Sequence, residues 1–150
     1  FRRVLFRSDI IAVRVKKIFP DPVWKRRYKH VLDFESMLAE EGTVIIKLFL
    51  NISKEEQKKR LESRLQDPDK LWKFCMDDLD DRNRWDEFQT AYQDLIEKTS
   101  TPEAPWYIIP ADRKWYRNLV VARLMVEKLR HLQLSLPTPN FDPASIIIPD

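Results

Sequence analysis

Basic side chains gather in the middle of the sequence, between residues 54 and 73. Arg60 and Arg64 are four residues apart, so in a helix they lie one turn apart on the same face. Two guanidinium groups aligned in this way can each bind the oxygens of a phosphate chain through paired hydrogen bonds. Lys70 and Lys73 add two more positive charges shortly afterwards. The cluster could form a phosphate-binding surface, but glutamates lie among these cations, so an ordinary solvated helix face is the more common meaning of the pattern.

A second basic cluster, made of Arg113, Lys114 and Arg117, follows an apolar run at residues 106–110. That run predicts a strand, and Asp112 predicts the cap of a helix that starts directly afterwards. In open α/β sheets, ligands bind at the carboxyl ends of the strands, and a helix N-terminus offers free N–H groups to an anion. The cluster therefore has a suitable place for phosphate binding, although capping by Asp112 and packing of the neighbouring aromatic residues would explain it equally well.

An acidic run at residues 77–81 reads D-D-L-D-D and is a dense group of carboxylates. Such carboxylates could hold Mg²⁺, because this ion prefers oxygen ligands. Acidic residues are also favoured in the first turn of a helix, where they face the positive end of its dipole. A helix start is the more common meaning of such a run, so no metal ligand is assigned within the chain.

Composition restricts the function further. The chain has 150 residues, 43% of them apolar and 34% charged, which is typical of one globular domain or of part of one. Its single glycine, Gly42, excludes a glycine-rich phosphate loop within the chain, because such loops need two glycines close together. The single cysteine, Cys75, and the lack of an apolar run of about 20 residues indicate a cytoplasmic protein without a membrane span. A net charge of +3 permits an anionic partner without requiring one.

The elements that must position these residues follow from the hydrophobic pattern. Strands are predicted at residues 9–15, 43–51 and 106–110, and helices at 21–41, 53–65, 78–98 and 113–131. Strands that alternate with helices predict an α/β fold with a parallel sheet, and the nearly unbroken apolar run at 43–51 predicts cover on both faces. The two successive helices between residues 53 and 98 are an addition to this alternating order, and they are the predicted lid. A proline-containing tail from residue 133 is predicted to lie over the surface without a helix.

Local signals set the limits of the helices. Asp21 is the predicted N-cap of the first helix, and Gly42 is predicted to end it. Ser53 and Glu56 form a capping-box pattern at the start of the next helix. The sequence D-P-D at 67–69 is predicted to break that helix. The paired arginines therefore lie inside a helix, and the two lysines lie beyond its end.

Three longer motifs make the sequence recognisable. They read I-S-K-E-E-Q-K-K-R at 52–60, R-L-Q-D-P-D-K-L-W-K at 64–73 and A-P-W-Y-I-I-P-A-D-R-K-W-Y-R-N at 104–118. Together with W-K-R-R-Y at 24–28, T-S-T at 99–101 and the tail from Phe141, they resemble the polyphosphate kinase 2 family over residues 9–150. The resemblance implies a P-loop kinase-like fold similar to thymidylate kinase, which is a three-layer α/β fold with a parallel sheet and a helical lid, here at about 53–98.

The resemblance also implies an activity and a set of site residues. The expected enzyme is a polyphosphate-dependent nucleotide kinase, which moves a phosphoryl group between inorganic polyphosphate and a nucleoside mono- or diphosphate such as AMP or ADP, with Mg²⁺ as cofactor. A homo-oligomer is expected, and neither a membrane nor a nucleic acid is expected as partner. The implied catalytic residues are Arg60 and Arg64. The residues implied to bind phosphate or nucleotide are Lys70, Lys73, Arg113, Lys114 and Arg117.

The sequence departs from the family pattern at its start. The glycine-rich Walker A loop and the Walker B element that the family carries do not occur in it. Residues 9–150 are therefore expected to be the C-terminal part of a single kinase domain, and residues 1–8 a non-native lead. Without the Walker A lysine and the metal-binding aspartate, phosphoryl transfer loses its main electrostatic parts. We therefore expect the 150 residues to be inactive alone and the ligands of Mg²⁺ to lie upstream.

A non-enzymatic alternative uses the same basic residues. An α/β module could bind an anionic polymer such as RNA through its basic face. RNA recognition commonly uses aromatic residues on an exposed sheet. Since the predicted strands look buried on both faces, the sequence favours the kinase over this alternative.

Overall fold

Two parallel strands and six helices make up the part of the chain that the structure describes. The computed structural model describes residues 10–146 and 148–149. The helices are α1 (Ala12–Val15), α2 (Asp21–Glu40), α3 (Lys54–Gln66), α4 (Asp77–Asn83), α5 (Trp85–Thr99) and α6 (Lys114–His131), and the strands are β1 (Lys47–Asn51) and β2 (Trp106–Pro110). Short 3₁₀ helices lie at Pro68–Lys73 and Pro143–Ser145. The predicted α/β class is confirmed, with two strands in the described residues where three were predicted.

The sheet is parallel, as predicted, and helices lie on both of its faces. β1 and β2 pair in register along their whole lengths. Alternate residues of a strand point to opposite faces. Phe49 packs against Tyr92 of α5, with 5.0 Å between the ring centroids, whereas the Lys128 amine of α6 lies 5.7 Å from the ring centroid of Tyr107. Helices α5 and α6 therefore flank the sheet from opposite sides.

The two strands are less covered than the sequence predicts. β1 starts at Lys47 and not at residue 43, because its partner β2 begins opposite that residue. Leu50 of β1 is 47% exposed and Ile108 of β2 is 58% exposed. The prediction of full cover on both faces is therefore wrong at these positions.

Residues 9–15, predicted as a strand, are helical where the structure describes them. Ile10 and Ile11 form a π-helical turn that continues into α1. Ile10 and Val13 are three residues apart, Ile11 and Val15 are four apart, and all four side chains are buried. This is helical spacing, and packing against neighbouring helices outweighs the local preference of β-branched residues for strands. The first residue of the predicted strand lies outside the described residues.

The largest core cluster lies between α1, α2 and α5. Arg14 ties α1 to α5 through a 2.5 Å ion pair with Asp94, and Trp106 brings the sheet against the cluster. The buried members of the cluster are Ile10, Ile11, Val13, Val15, Trp24, Tyr28, Phe88, Ala91 and Leu95.

Helix α2 ends at the glycine, as the sequence predicts. Gly42 has a φ of +80°, a left-handed conformation that glycine adopts without steric cost. Its amide donates to the Ala39 carbonyl at 2.9 Å, and the Thr43 amide donates to the Leu38 carbonyl at 2.9 Å. These two bonds form a Schellman motif, which satisfies the last carbonyls of the helix.

Two other helix limits differ from the predictions. Pro20 occupies the N-cap position of α2, so Asp21 is already helical, and its carboxylate accepts a 3.2 Å hydrogen bond from the indole of Trp24. The helix predicted at 78–98 is two helices, because Arg84 leaves helical geometry with a φ of −100° and a ψ of 28°. The Arg84 guanidinium donates to the Val15 carbonyl at 2.9 Å. A contact to a distant segment therefore coincides with this break, where the sequence has neither proline nor glycine.

A buried ion pair lies at the amino end of the sheet. Lys47 is 5% exposed and Glu35 is 4% exposed, and the lysine amine donates to the carboxylate at 2.7 Å. The same amine donates to the Thr99 carbonyl, and the Thr99 hydroxyl accepts a 2.8 Å bond from the indole of Trp106. Burial raises the pKa of Glu35, and the hydrogen bond from Lys47 opposes this effect. The network joins α2, both strands and α5.

The tail after α6 carries no helix in its described residues except the short 3₁₀ turn, as predicted. The large apolar side chains of its described residues are exposed, and the first of them are Leu132, Leu134 and Leu136. The tail therefore adds little to the core of the described chain.

Candidate functional site

A cleft of about 640 Å³ opens at the carboxyl ends of β1 and β2. The strands end side by side, and the Ala111 amide continues their pairing by donating to the Asn51 carbonyl at 2.8 Å. Residues from the strand ends, from the starts of α3 and α6 and from α5 line the cleft. Because α3 and α6 both begin here, first-turn N–H groups that have no partner within their own helix lie at its edge. The cleft thus has the position that the sequence predicts for an anion site.

The start of α3 is held by residues from two elements. The Ser53 hydroxyl accepts a 3.1 Å bond from the Glu56 amide, which confirms the first half of the predicted capping box. The second half is different, because the Ser53 amide donates to the Asp112 carboxylate at 2.7 Å. The Glu56 carboxylate accepts a 2.8 Å bond from Arg60. Asp112 therefore replaces Glu56 as the acceptor for the Ser53 amide.

Arg60, a predicted catalytic residue, places its guanidinium on the end of β2. Its Nη2 donates to the Ala111 carbonyl at 2.7 Å and to the Asp112 carbonyl at 3.2 Å. The side chain is 25% exposed. These contacts bind α3 to the end of the strand, and contact of Arg60 with phosphate stays a prediction.

Asp112 does not cap α6, which corrects the prediction. The N-cap position belongs to Arg113, and no side chain caps this helix. The Asp112 carboxylate turns instead towards Ser53, because the parallel strands bring the start of α3 next to it. The hydrogen bond from the Ser53 amide, together with the charges of Arg60 and Lys59, holds the pKa of Asp112 below its usual value. The Asp112 carboxylate is therefore negatively charged at neutral pH.

The second basic cluster lies at the cleft. Arg113 lines it, and Lys114 and Arg117 follow on the first turn of α6. Lys114 is exposed, and the Arg117 guanidinium donates to the Asn118 side chain at 2.8 Å. Lys54, the first residue of α3, lines the opposite part of the rim. The sequence reasoning gave Lys54 no site assignment, although it lies directly after the predicted helix cap.

Arg60 and Arg64 do not converge on one point in this structure. Arg64 lies one turn further along α3, where it donates to the Asp78 carboxylate at 3.3 Å and to the Lys73 carbonyl at 3.4 Å. Helix α4 therefore holds one guanidinium, and the end of β2 holds the other. A shared phosphate contact of the two arginines stays a prediction.

Lys70 and Lys73 follow the break at 67–69, which occurs as predicted. Lys70 pairs with the Asp67 carboxylate, and the Lys73 amine lies 4.9 Å from the ring centroid of Trp72. Both lysines belong to the 3₁₀ helix beyond α3, and neither lines the cleft. The structure thus separates them from the cations at the strand ends by the length of α3, roughly 20 Å.

The acidic run at 77–81 opens α4, as the helix-start alternative predicts. Asp78 accepts from Arg64, and Asp81 forms a 2.8 Å ion pair with Lys16. Within the described ranges, no group of three His, Cys, Asp or Glu side chains could hold a metal ion. Asp78 and Asp81 therefore neutralise neighbouring cations, and the run does not fit a magnesium site.

The cleft is also lined by Trp85, Gln89 and Tyr116, none of which was predicted as a site residue. Tyr116 had a usable signal, because it lies one helical turn after Arg113. Trp85 and Gln89 had none, since no proline or glycine marks the break at Arg84 that starts α5 beside the cleft.

Comparison with known proteins agrees with these observations. The sequence profile of the family described as polyphosphate kinase 2 matches residues 1–136. The AMP/ADP-polyphosphate phosphotransferase of Meiothermus ruber is 51% identical over 141 residues, which are 94% of this chain and 53% of that protein. The ADP-polyphosphate phosphotransferase of Rhodopseudomonas palustris is 39% identical over 119 residues, which are 79% of this chain and 41% of that protein.

A solved structure is also similar. The crystal structure of polyphosphate kinase 2 from Arthrobacter aurescens has a TM-score of 0.86 and 46% identity, over 92% of this chain and 49% of that one. The chain therefore spans about half the length of these relatives. Since the family profile matches most of its residues, the chain belongs to the polyphosphate kinase 2 family.

Proposed function

We propose that this chain forms part of a phosphotransferase that moves a phosphoryl group between inorganic polyphosphate and a nucleoside mono- or diphosphate. The observation that carries this proposal is the cleft where two helix N-termini meet, with Lys54 and Arg113 on its rim. Amide groups and cations at one point suit the oxygens of a phosphate chain. The names of the relatives, AMP/ADP- and ADP-polyphosphate phosphotransferase, supply the substrate classes.

The chemistry asked of these residues is electrostatic. Phosphoryl transfer depends mainly on positioning and on neutralising the charge that spreads over the phosphoryl oxygens. Lys54 and Arg113 would bind and orient these oxygens at the strand ends. The cations near the far end of α3 would reach the same phosphates if residues 64–83 moved over the cleft while the start of α3 stayed in place. The proposal includes this movement as the lid, within the predicted range of about 53–98, whereas α5 of that range packs in the core cluster.

The proposal also includes parts that the described residues do not supply. The P-loop kinase core, with its Walker A loop and its magnesium ligands, would come from another segment of the protein, as the length of the relatives permits. Bound Mg²⁺ supplies charge neutralisation in reactions of this class. We assign no Mg²⁺ ligand to the described residues of this chain, because the carboxylates at 77–81 do not form a group that could hold the ion.

Location and assembly belong to the proposal as well. The complete enzyme would be cytoplasmic and would assemble as a homo-oligomer. In the part of the chain that the structure describes, no helix combines the length and the apolar character needed to cross a membrane.

The experiment uses a chimera in which this chain replaces the matching segment of the Meiothermus ruber relative. We expect the chimera to form ATP from ADP and polyphosphate and the 150-residue chain alone to form none. A folded chimera that forms no ATP would contradict the proposed activity. ATP formation by the chain alone would contradict its predicted inactivity.

An RNA-binding module stays as the alternative. The sequence argued against RNA binding because the strands looked buried on both faces. The exposure of Leu50 and Ile108 removes that argument. Both side chains are aliphatic, however, so they provide no aromatic surface on which RNA bases could stack. Competition separates the two functions, because polyphosphate should displace a bound nucleotide from the chimera and RNA should not.

A further inference from the structure

A network of hydrogen bonds joins the start of α3 to the end of β2. We call it the clasp, and its residues are Ser53, Glu56, Arg60, Ala111 and Asp112. The Ser53 amide donates to the Asp112 carboxylate at 2.7 Å, and Arg60 donates to the carbonyls of Ala111 and Asp112 at 2.7 and 3.2 Å. Glu56 holds Arg60 from within α3 at 2.8 Å. The clasp therefore connects the two elements through side chains from both.

Arg60 is engaged in this network through its Nε and Nη2 groups. A guanidinium presents its donors in a rigid, planar fork, so it cannot turn one N–H away while keeping the others in place. If Arg60 turned towards a phosphate, the two strand-end carbonyls and the Glu56 carboxylate would lose their donor. Its 25% exposure also leaves less of it in contact with solvent than Lys58, which is 64% exposed on the same helix.

The clasp also sets the separation of the two cations on the rim. Lys54 is the next residue after Ser53, and Arg113 is the next residue after Asp112. The bond between the Ser53 amide and the Asp112 carboxylate therefore fixes the two backbones from which these cations project. Loss of the clasp would let the start of α3 move away from the strand end.

We propose that Arg60 and Asp112 are positioning residues that hold the start of α3 at the cleft, and that Lys54 and Arg113 contact the phosphates in their place. The phosphate part of this inference rests on the proposed function. The clasp part depends only on the contacts described above.

Hydrogen exchange on the 150-residue chain tests the clasp. Asp112→Ala and Arg60→Ala should each speed exchange of the Ser53 and Glu56 amides about fivefold or more, since a helix cap has roughly this effect on local opening. Asp112→Asn keeps an acceptor oxygen and should restore part of the protection. Lys58→Ala, on the same helix, should change nothing at these amides. Unchanged exchange in both clasp variants would overturn the clasp.

Salt dependence of polyphosphate binding, measured on the chimera, tests the phosphate contacts. The slope of log affinity against log salt counts the cations that contact a polyanion. Arg113→Ala and Lys54→Ala should each reduce the slope by roughly one contact. Arg60→Ala and Asp112→Ala should weaken binding while they leave the slope unchanged. A reduced slope in Arg60→Ala, with the slope restored in Arg60→Lys, would show a direct phosphate contact and overturn the inference.

The two measurements separate failure of the inference from failure of the proposed function. If the unmodified chimera binds no polyphosphate, the proposed function and the phosphate part are both wrong, and hydrogen exchange still decides the clasp. If Arg60→Ala does not fold, Arg60→Lys replaces it in the exchange experiment. Lysine keeps the charge but cannot reproduce the forked contacts, so the clasp predicts that the Ser53 amide of Arg60→Lys exchanges about fivefold faster than that of the original chain.

Discussion

The two ends of the sheet use cations in opposite ways. At the amino end, the Lys47 amine is buried and bonded to the Glu35 carboxylate and the Thr99 carbonyl. At the carboxyl end, Lys54 and Arg113 stand on the rim of an open cleft. Burial decides between the two uses, because a sealed cation must be satisfied by the protein, whereas an exposed one is available to a ligand. We infer that the amino end serves stability and that the carboxyl end serves binding.

The largest expected effect is at the amino end. Lys47→Ala should lower the free energy of unfolding by about 3–5 kcal/mol, because it leaves the Glu35 carboxylate buried without its partner. Urea unfolding of the 150-residue chain measures this loss. The double variant Lys47→Met with Glu35→Leu removes both charges and should recover much of the stability. A loss below about 1 kcal/mol in Lys47→Ala would break the comparison.

A smaller effect is expected for substitutions at the carboxyl end of the sheet. They should weaken polyphosphate binding and leave the free energy of unfolding almost unchanged. Arg113→Ala should weaken polyphosphate binding by the chimera about tenfold, which is the value of one charged hydrogen bond. The free energy of unfolding of the 150-residue chain should change by less than about 0.5 kcal/mol, because no side-chain bond of Arg113 caps α6. Lys58→Ala is the matched control, since this exposed lysine pairs only weakly with Glu62 at 3.8 Å. Equal losses of stability in Arg113→Ala and Lys47→Ala would contradict the division between the two ends.

Substitution of Gly42, in the connection that leads into β1, should lower the free energy of unfolding moderately. Gly42→Ala should cost about 1 kcal/mol, because alanine is strained at a φ of +80°. A new Cβ would meet nothing within 4 Å, so strain alone sets this cost. Urea unfolding measures it, and Gly42→Asn, which tolerates the left-handed conformation better, should lie between the two. If Gly42→Ala were as stable as the original chain, the φ value would carry no energetic weight.

The smallest effect is on pH dependence, where the two ends should respond in opposite directions. The pKa of Glu35 is raised by burial, so its contribution to stability is present at acid pH and is lost as the pH rises through that raised value. The pKa of Asp112 is lowered by the Ser53 amide, so its contribution is present above about pH 4 and is lost as the pH falls through the lowered value. Asp112 is exposed, so its share is the smaller one.

Urea unfolding between pH 2.5 and 7 checks these signs. Asp112→Asn should be less stable than the original chain at pH 7, and the difference should shrink below about pH 4. Glu35→Gln should gain on the original chain as the pH rises. Parallel pH profiles for the two variants would show that the two carboxylates do not differ in the way described.

Local patterns were enough for several elements. The run at 106–110 predicts β2 with its observed limits, and Gly42 predicts the end of α2. The same reasoning predicted that Arg113 lies at a strand end beside a helix start, and the cleft confirms this location. Each of these predictions depends on residues that are close together in the sequence.

The errors depend on distant partners. Asp112 has the pattern of a helix cap, but its carboxylate bonds to an amide 59 residues away. Lys47 stands in an apolar run with no local sign of the Glu35 carboxylate 12 residues earlier. Ile10 and Ile11 favour a strand by composition, and only their packing against α2 and α5 makes the segment helical. A short-range pattern cannot contain these contacts, although a lysine within an apolar strand does indicate that a carboxylate partner is needed.

The clasp has a consequence for the order in which the protein is made. The bonds that join α3 to the end of β2 link residues 51 to 59 positions apart, so the ribosome must add the second partner well after the first. At ordinary rates of synthesis this interval is roughly 3–12 s, which is far longer than the microsecond scale of helix–coil exchange. All residues of α3 are therefore synthesised before their anchor exists, and the cleft becomes a defined site only when the second strand emerges and pairs with the first.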